Sequence, residues 1–193
     1  MVYIDDHIND FDLQAALAVI SPQRREQALQ FKFEQGQRTC VLAYLLLKKA
    51  LLEEYGLHMN PLFEYGEHGK PFIVGHPEIH FNLSHCREAV ACVVSDHPVG
   101  IDVESIREYH DSLVSYTMSA DEEARIQASG RPEAEFIRLW TMKEARLKLT
   151  GEGITDYLKA VLDDAEKYRY TTIEQLDRNY IYTVCEEKRL CDS

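Results

Sequence analysis

The sequence predicts an α+β fold built from antiparallel sheets, an arrangement that admits two related lobes. Three observations lead there. Helical periodicity fills the first third of the chain, short strand-like segments set off by glycine and proline follow, and helices and strands then come round a second time. No βαβ alternation, the signature of a parallel sheet, accompanies them.

Taken in order, Phe11, Leu13, Ala16, Leu17 and Ile20 recur at helical spacing. Ser21 and Pro22 read as an N-cap followed by proline at the first helical position, opening a helix to about Phe33. From Arg38 to Tyr55 apolar residues occupy most faces, as in a helix buried by its neighbours. Beyond Gly56 the segments shorten. Pro71–Val74 and Ile79–Leu83 read as strands, and Ala89–Val94 with Val99–Val103 reads as a hairpin around Ser95–Pro98. Helices return at about Glu108–Met118 and again after Ser119, where Ser119 and Glu122 have capping-box spacing. Ser129-Gly130 closes that helix and Pro132 opens another to about Thr150. Two β-rich segments, Tyr168–Ile173 and Tyr180–Val184, complete the pattern. The expected division is a first lobe of residues 1–104 and a second of 105–193, with no internal repeat strong enough to prove that the two are copies.

A chain of 193 residues, 45% hydrophobic, can bury a core in either arrangement. Its net charge of −12 disfavours binding to nucleic acid through phosphate neutralisation. The acid is uneven, however: Ser21–Tyr55 carries six Lys/Arg against four Asp/Glu, so a local anion site can sit on an acidic body. The five cysteines form no CxxC pair and no finger-like spacing, which suggests reduced thiols in a cytoplasmic protein. The acidic start (Asp5, Asp6, Asp10, Asp12) is unlike a signal peptide, and no apolar run approaches the length of a membrane span.

Three segments carry chemistry. In Gly100-Ile101-Asp102-Val103-Glu104, strand alternation puts Asp102 and Glu104 on one face. They are either acids on a solvated strand or two oxygen ligands for a hard divalent cation, Mg2+ above all. Between Phe136 and Lys148, helical spacing aligns Trp140, Glu144 and Lys148. That stripe fits either a surface ion pair beside a packing tryptophan or a carboxylate and ammonium serving a metal and a leaving phosphate. In Phe81-Asn82-Leu83-Ser84-His85, a strand-end cap and a half-buried histidine compete with a pair of phosphate donors. A nucleophile–base pair is disfavoured, because strand neighbours point to opposite faces and no orienting acid stands out. Lys70, in Gly69-Lys70-Pro71, reads by itself as an exposed turn residue.

The order of these segments resembles the 4′-phosphopantetheinyl transferases, most closely the surfactin-synthetase type. Ser21–Glu26, Arg38 and Gly151-Glu152-Gly153 add to the likeness, which runs from about Ser21 to Ile154. The resemblance implies a pseudo-twofold pair of α+β lobes holding coenzyme A and Mg2+ in the cleft between them. It implies Asp102, Glu104 and Glu144 as Mg2+ ligands, and Glu144, or a water on the metal, as the group taking the proton from the carrier serine. Lys148 would neutralise or protonate the departing 3′,5′-ADP. Ser84, His85, Arg24 and Arg38 would hold phosphates, and Lys70 would lie along the nucleotide. The partner implied is an apo acyl or peptidyl carrier protein, met by a monomer through its 104–118 region or a local basic patch. The expected departures are Gln27, where the family often has a basic residue, and a second lobe with fewer strands. A metal-dependent nuclease and a non-catalytic coenzyme A or carrier-binding module are the competing readings, the first opposed by the acidic charge and the second by the full set of carboxylates and Lys148.

Overall fold

A computed structural model describes residues 1–66, 69–151, 153 and 157–188; Glu152, Ile154 and Cys191 lie outside the described residues. The chain is α+β with antiparallel sheets, as expected. It opens with β1 (Val2–Asp5), then α1 (Leu13–Val19), α2 (Pro22–Leu29) and the long α3 (Glu34–Tyr55). A short hairpin of β2 (Phe63–Tyr65) and β3 (Pro71–Ile73) precedes β4 (His80–His85) and β5 (Val90–Ser95). The second half repeats this grammar with β6 (Val99–Ser105), α4 (Asp111–Thr117), α5 (Ala120–Ala128), the long α6 (Pro132–Thr150), β7 (Tyr168–Gln175) and β8 (Tyr180–Glu187).

In each half the first strand pairs antiparallel with the last, and the last also pairs with the strand before it. The sheets therefore run β1-β5-β4 and β6-β8-β7. α3 packs on β5, and α6 packs on β6 and β8. β5 explains the unbroken apolar run of its sequence: Val90, Cys92 and Val94 face the core under α3, whereas Ala91 and Val93 face Ile101 and Val103 of β6. By its ladder β6 goes with the second sheet, although a division after residue 104 would place it at the end of the first lobe.

Several local expectations hold. Ser21 accepts from the Arg24 amide at the start of α2, Ser119 and Glu122 form the capping box of α5, and α6 begins at Pro132. Others are corrected. Ala89–Val94 and Val99–Val103 are not a hairpin, because both edges of β5 are taken by β1 and β4 and β6 pairs with β8 instead. The first third is not wholly helical: Val2–Asp5 is a strand. Four residues carry too little period to announce one.

Gly100 decides how closely the second half packs. A Cβ built there would fall inside the carbonyl oxygen of Ala145 and 2.6 Å from the amide nitrogen of Leu149, both backbone atoms of α6. Only glycine lets the helix lie directly on β6 at this height. Gly100→Ala is expected to destabilise the fold by about 1–3 kcal/mol, through a helix forced off its strand. Urea unfolding checks this, and a variant as stable as the parent would contradict the packing argument.

Candidate active site

The close approach of α6 to β6 brings the two acid-bearing segments together. Asp102 is buried to 3% exposure. Its Oδ1 receives the Lys148 ammonium at 2.6 Å and the Ser84 hydroxyl at 2.9 Å. Its Oδ2 is buried with no hydrogen-bond partner, and so is Oε1 of Glu144 one helical turn before Lys148. Ile101 and Val103, the alternate residues of β6, are fully buried between the sheets, so the alternation expected from the sequence holds.

The electrostatics fit a site short of positive charge. Burial, and then the Asp102 charge, pushes the Glu104 carboxyl up to about 7, against the pull of Arg107, Lys148 and a hydrogen bond with Trp140. Glu144 moves in the same direction, by burial first and then by Asp102, with Lys148 opposing. Two orphaned, buried carboxylate oxygens beside a third carboxylate are the hard donors that a divalent cation such as Mg2+ takes. The residues thus fit such an ion, which would relieve the crowding that Lys148 and Arg107 now only partly offset. Among the described residues, no three acidic, histidine or cysteine side chains converge as a ready-made metal cage.

A cleft of about 570 Å³, open to solvent, lies beside these groups and is lined by Lys70, Asn82, Glu144, Lys148, Gly151 and Gly153, among others. Lys70 comes from the β2–β3 hairpin, and its ammonium donates to the Leu149 carbonyl at 2.7 Å. That bond ties the hairpin to the last turn of α6, which ends on Gly151 in the left-handed region at φ 78°. Burial lowers the Lys70 pKa, so the residue is no ordinary exposed turn lysine.

His85 stands at the end of β4 with an exposed edge. Its pKa is lowered by desolvation first, and then by the charges of Lys148 and Arg24, so both cations act on this imidazole. Arg24 is braced: its guanidinium donates to the Cys40 carbonyl at 2.8 and 3.1 Å and to Gln27 Oε1 at 2.8 Å. Gln27 therefore supports Arg24. Arg38 sits elsewhere, bonded to Glu34 at 2.8 Å and to the Phe11 carbonyl at 2.9 Å, in a separate hollow with Asp12, Gln14 and Lys32. Ser84 has its hydroxyl fully engaged, giving its hydrogen to Asp102 and accepting from Lys148 and the Val103 amide.

Two further residues touch the site without having been singled out as site residues, and a third braces the far side of α6. Trp140, read as a packing residue, stacks on Phe136 and also hydrogen-bonds Glu104. Lys143 is fully buried against Glu122. Asn82 bonds the Ile101 amide; its spacing of two from Ser84 on a strand was the available signal.

Residues 98–189 match the family model described as the 4′-phosphopantetheinyl transferase superfamily, and residues 9–97 match one described as the N-terminal part of a 4′-phosphopantetheinyl transferase. Among similar proteins, the 4′-phosphopantetheinyl transferase psf-1 of Bacillus pumilus is 37% identical over 155 residues, covering 79% of this chain and 66% of the relative. The 4′-phosphopantetheinyl transferase AcpT of Salmonella typhi is 36% identical over 70% of this chain and 71% of its own length. The 4′-phosphopantetheinyl transferase Sfp of Bacillus subtilis is 26% identical over 95% of this chain and 89% of its own.

Proposed function

The chain belongs to the 4′-phosphopantetheinyl transferase superfamily, and from that premise we propose that it moves the phosphopantetheine arm of coenzyme A onto a serine hydroxyl of an apo acyl or peptidyl carrier protein. The observation that carries this reading is the pair of orphaned carboxylate oxygens on Asp102 and Glu144, set beside Lys148 at the edge of the cleft.

Asp102, Glu104 and Glu144 would hold Mg2+. Bound there, the ion supplies charge neutralisation for the pyrophosphate of coenzyme A. In the transfer, the carrier serine oxygen forms a bond to phosphorus as the pyrophosphate P–O bond breaks and 3′,5′-ADP departs. Glu144 takes the serine proton. Lys148 meets the charge that develops on the leaving group. His85 and Arg24, with Arg38 as a further candidate, would hold phosphates; Ser84 would join them once ligand draws its hydroxyl from Asp102; Lys70 would lie along the nucleotide.

The proposed setting is a monomer in the cytoplasm, its two lobes meeting along β6. No helix among the described residues is long and apolar enough to cross a membrane. The reading is tested by chromatography of coenzyme A incubated with the chain, Mg2+ and apo carrier protein, with supercoiled DNA in a parallel reaction. It requires 3′,5′-ADP to appear in step with coenzyme A loss, EDTA to stop it, and the DNA to stay intact. Nicked DNA with untouched coenzyme A would overturn it in favour of a nuclease.

A further inference from the structure

β4 and β6 run side by side where the two sheets meet, yet they share no backbone ladder. Side chains of β4 take the place of one. Asn82 Oδ1 accepts from the Ile101 amide at 3.1 Å, and two residues on, Ser84 Oγ accepts from the Val103 amide at 3.2 Å. Both side chains are buried. The two amides flank Asp102 in the chain, so the acid is held by its neighbours' peptides as well as by its own contacts. Buried amides left without acceptors would cost free energy, which gives this substitute ladder its specificity for one register.

Ser84 belongs to the site already, through Asp102 and Lys148. Asn82 does not: its bond is to backbone alone, and it stands in the cleft wall beside Glu144 and Lys148. We propose that Asn82 is a positioning residue for the transfer reaction, a strut whose grip on the Ile101 amide sets the height of β6 against β4. It thereby fixes Asp102 and Glu104 relative to Glu144 and Lys148 on α6. The inference rests on the proposed transfer for its kinetic consequence, while the strut itself is a matter of structure.

Its test compares Asn82→Leu and Asn82→Asp with the parent chain, by amide hydrogen exchange at Ile101 and by steady-state transfer kinetics. In Asn82→Leu the Ile101 amide should exchange about tenfold faster or more, having lost its acceptor. The kcat should fall about 10- to 100-fold, as when the outer support of a metal ligand is removed. KM for coenzyme A should stay within about threefold, because no direct contact with substrate is lost. Asn82→Asp keeps an acceptor of the same shape and should keep the Ile101 amide slow. Should Asn82→Leu fail to fold, Asn82→Ala withdraws the acceptor with less bulk and is read in the same way. Unchanged exchange at Ile101, or a raised KM at constant kcat, would overturn the strut in favour of a direct contact with substrate. If the parent chain transfers nothing, the functional reading fails, and the exchange measurement still decides whether Asn82 holds β6.

Discussion

Exchange of Glu144 for glutamine is expected to slow phosphopantetheine transfer by about 10²- to 10⁴-fold, the usual worth of a positioned general base. The fold should survive it unharmed. Glu144 Oε1 is buried without a partner, and burial together with the Asp102 charge already disfavours the ionised form. Glutamine keeps the shape and removes that strain, so thermal stability should hold or rise. What it removes is the proton acceptor and one of the proposed metal ligands. A single-turnover assay at saturating coenzyme A separates chemistry from binding. Retention of coenzyme A binding with the rate lost is the expected pattern, and a variant that transfers like the parent would end the assignment of Glu144 as the base.

A second large effect concerns stability. Lys143 sits next to Glu144 in the chain but faces the other way, into the core, with 0% exposure. Its ammonium meets Glu122 Oε2 at 2.8 Å and the Leu158 carbonyl at 2.7 Å. Glu122 also accepts from the Ser119 amide at 2.7 Å, closing the capping box of α5. One lysine thus joins α5, α6 and the turn at Leu158–Ala160. Burial pulls its pKa below the ordinary lysine value even with Glu122 beside it, so desolvation costs more than the pair returns. Removing only the cation leaves the carboxylate of Glu122 buried and unmatched. Lys143→Ala is therefore expected to cost about 3–5 kcal/mol in urea unfolding, and pairing it with Glu122→Leu should recover part of that. A loss no larger than that of a surface substitution would contradict the buried-pair account.

Much of this site could be read in the chain before any coordinates. Alternation along Gly100–Glu104 put Asp102 and Glu104 on one face, and a spacing of four put Glu144 and Lys148 on one stripe, because both periods are local properties of the backbone. Caps marked the starts of α2, α5 and α6 for the same reason: Ser21, Ser119 and Pro132 act within one turn. What depends on distant approach was not legible. The partner of β6 is β8, some eighty residues on, and nothing near Ser95–Pro98 says that β5 is already flanked on both sides. Gly100 looked like the start of a motif, whereas its reason is the α6 backbone lying against it. Lys143 and Asn82 carry no local mark of their roles, which depend on Glu122 and the Ile101 amide arriving from elsewhere in the chain. Arg38 looked equivalent to Arg24, but in the fold it turns to Glu34 and Phe11.

The central claim is that Asp102, Glu104, Glu144 and Lys148 form a metal-assisted site for transfer from coenzyme A. The measurement that tests it most directly is the intact mass of an apo carrier protein after incubation with the chain, coenzyme A and Mg2+, beside an EDTA control. A gain of one phosphopantetheine, lost with EDTA, is the predicted result. No gain across several carrier types, from folded protein that binds coenzyme A, would contradict it and leave a binding module in its place.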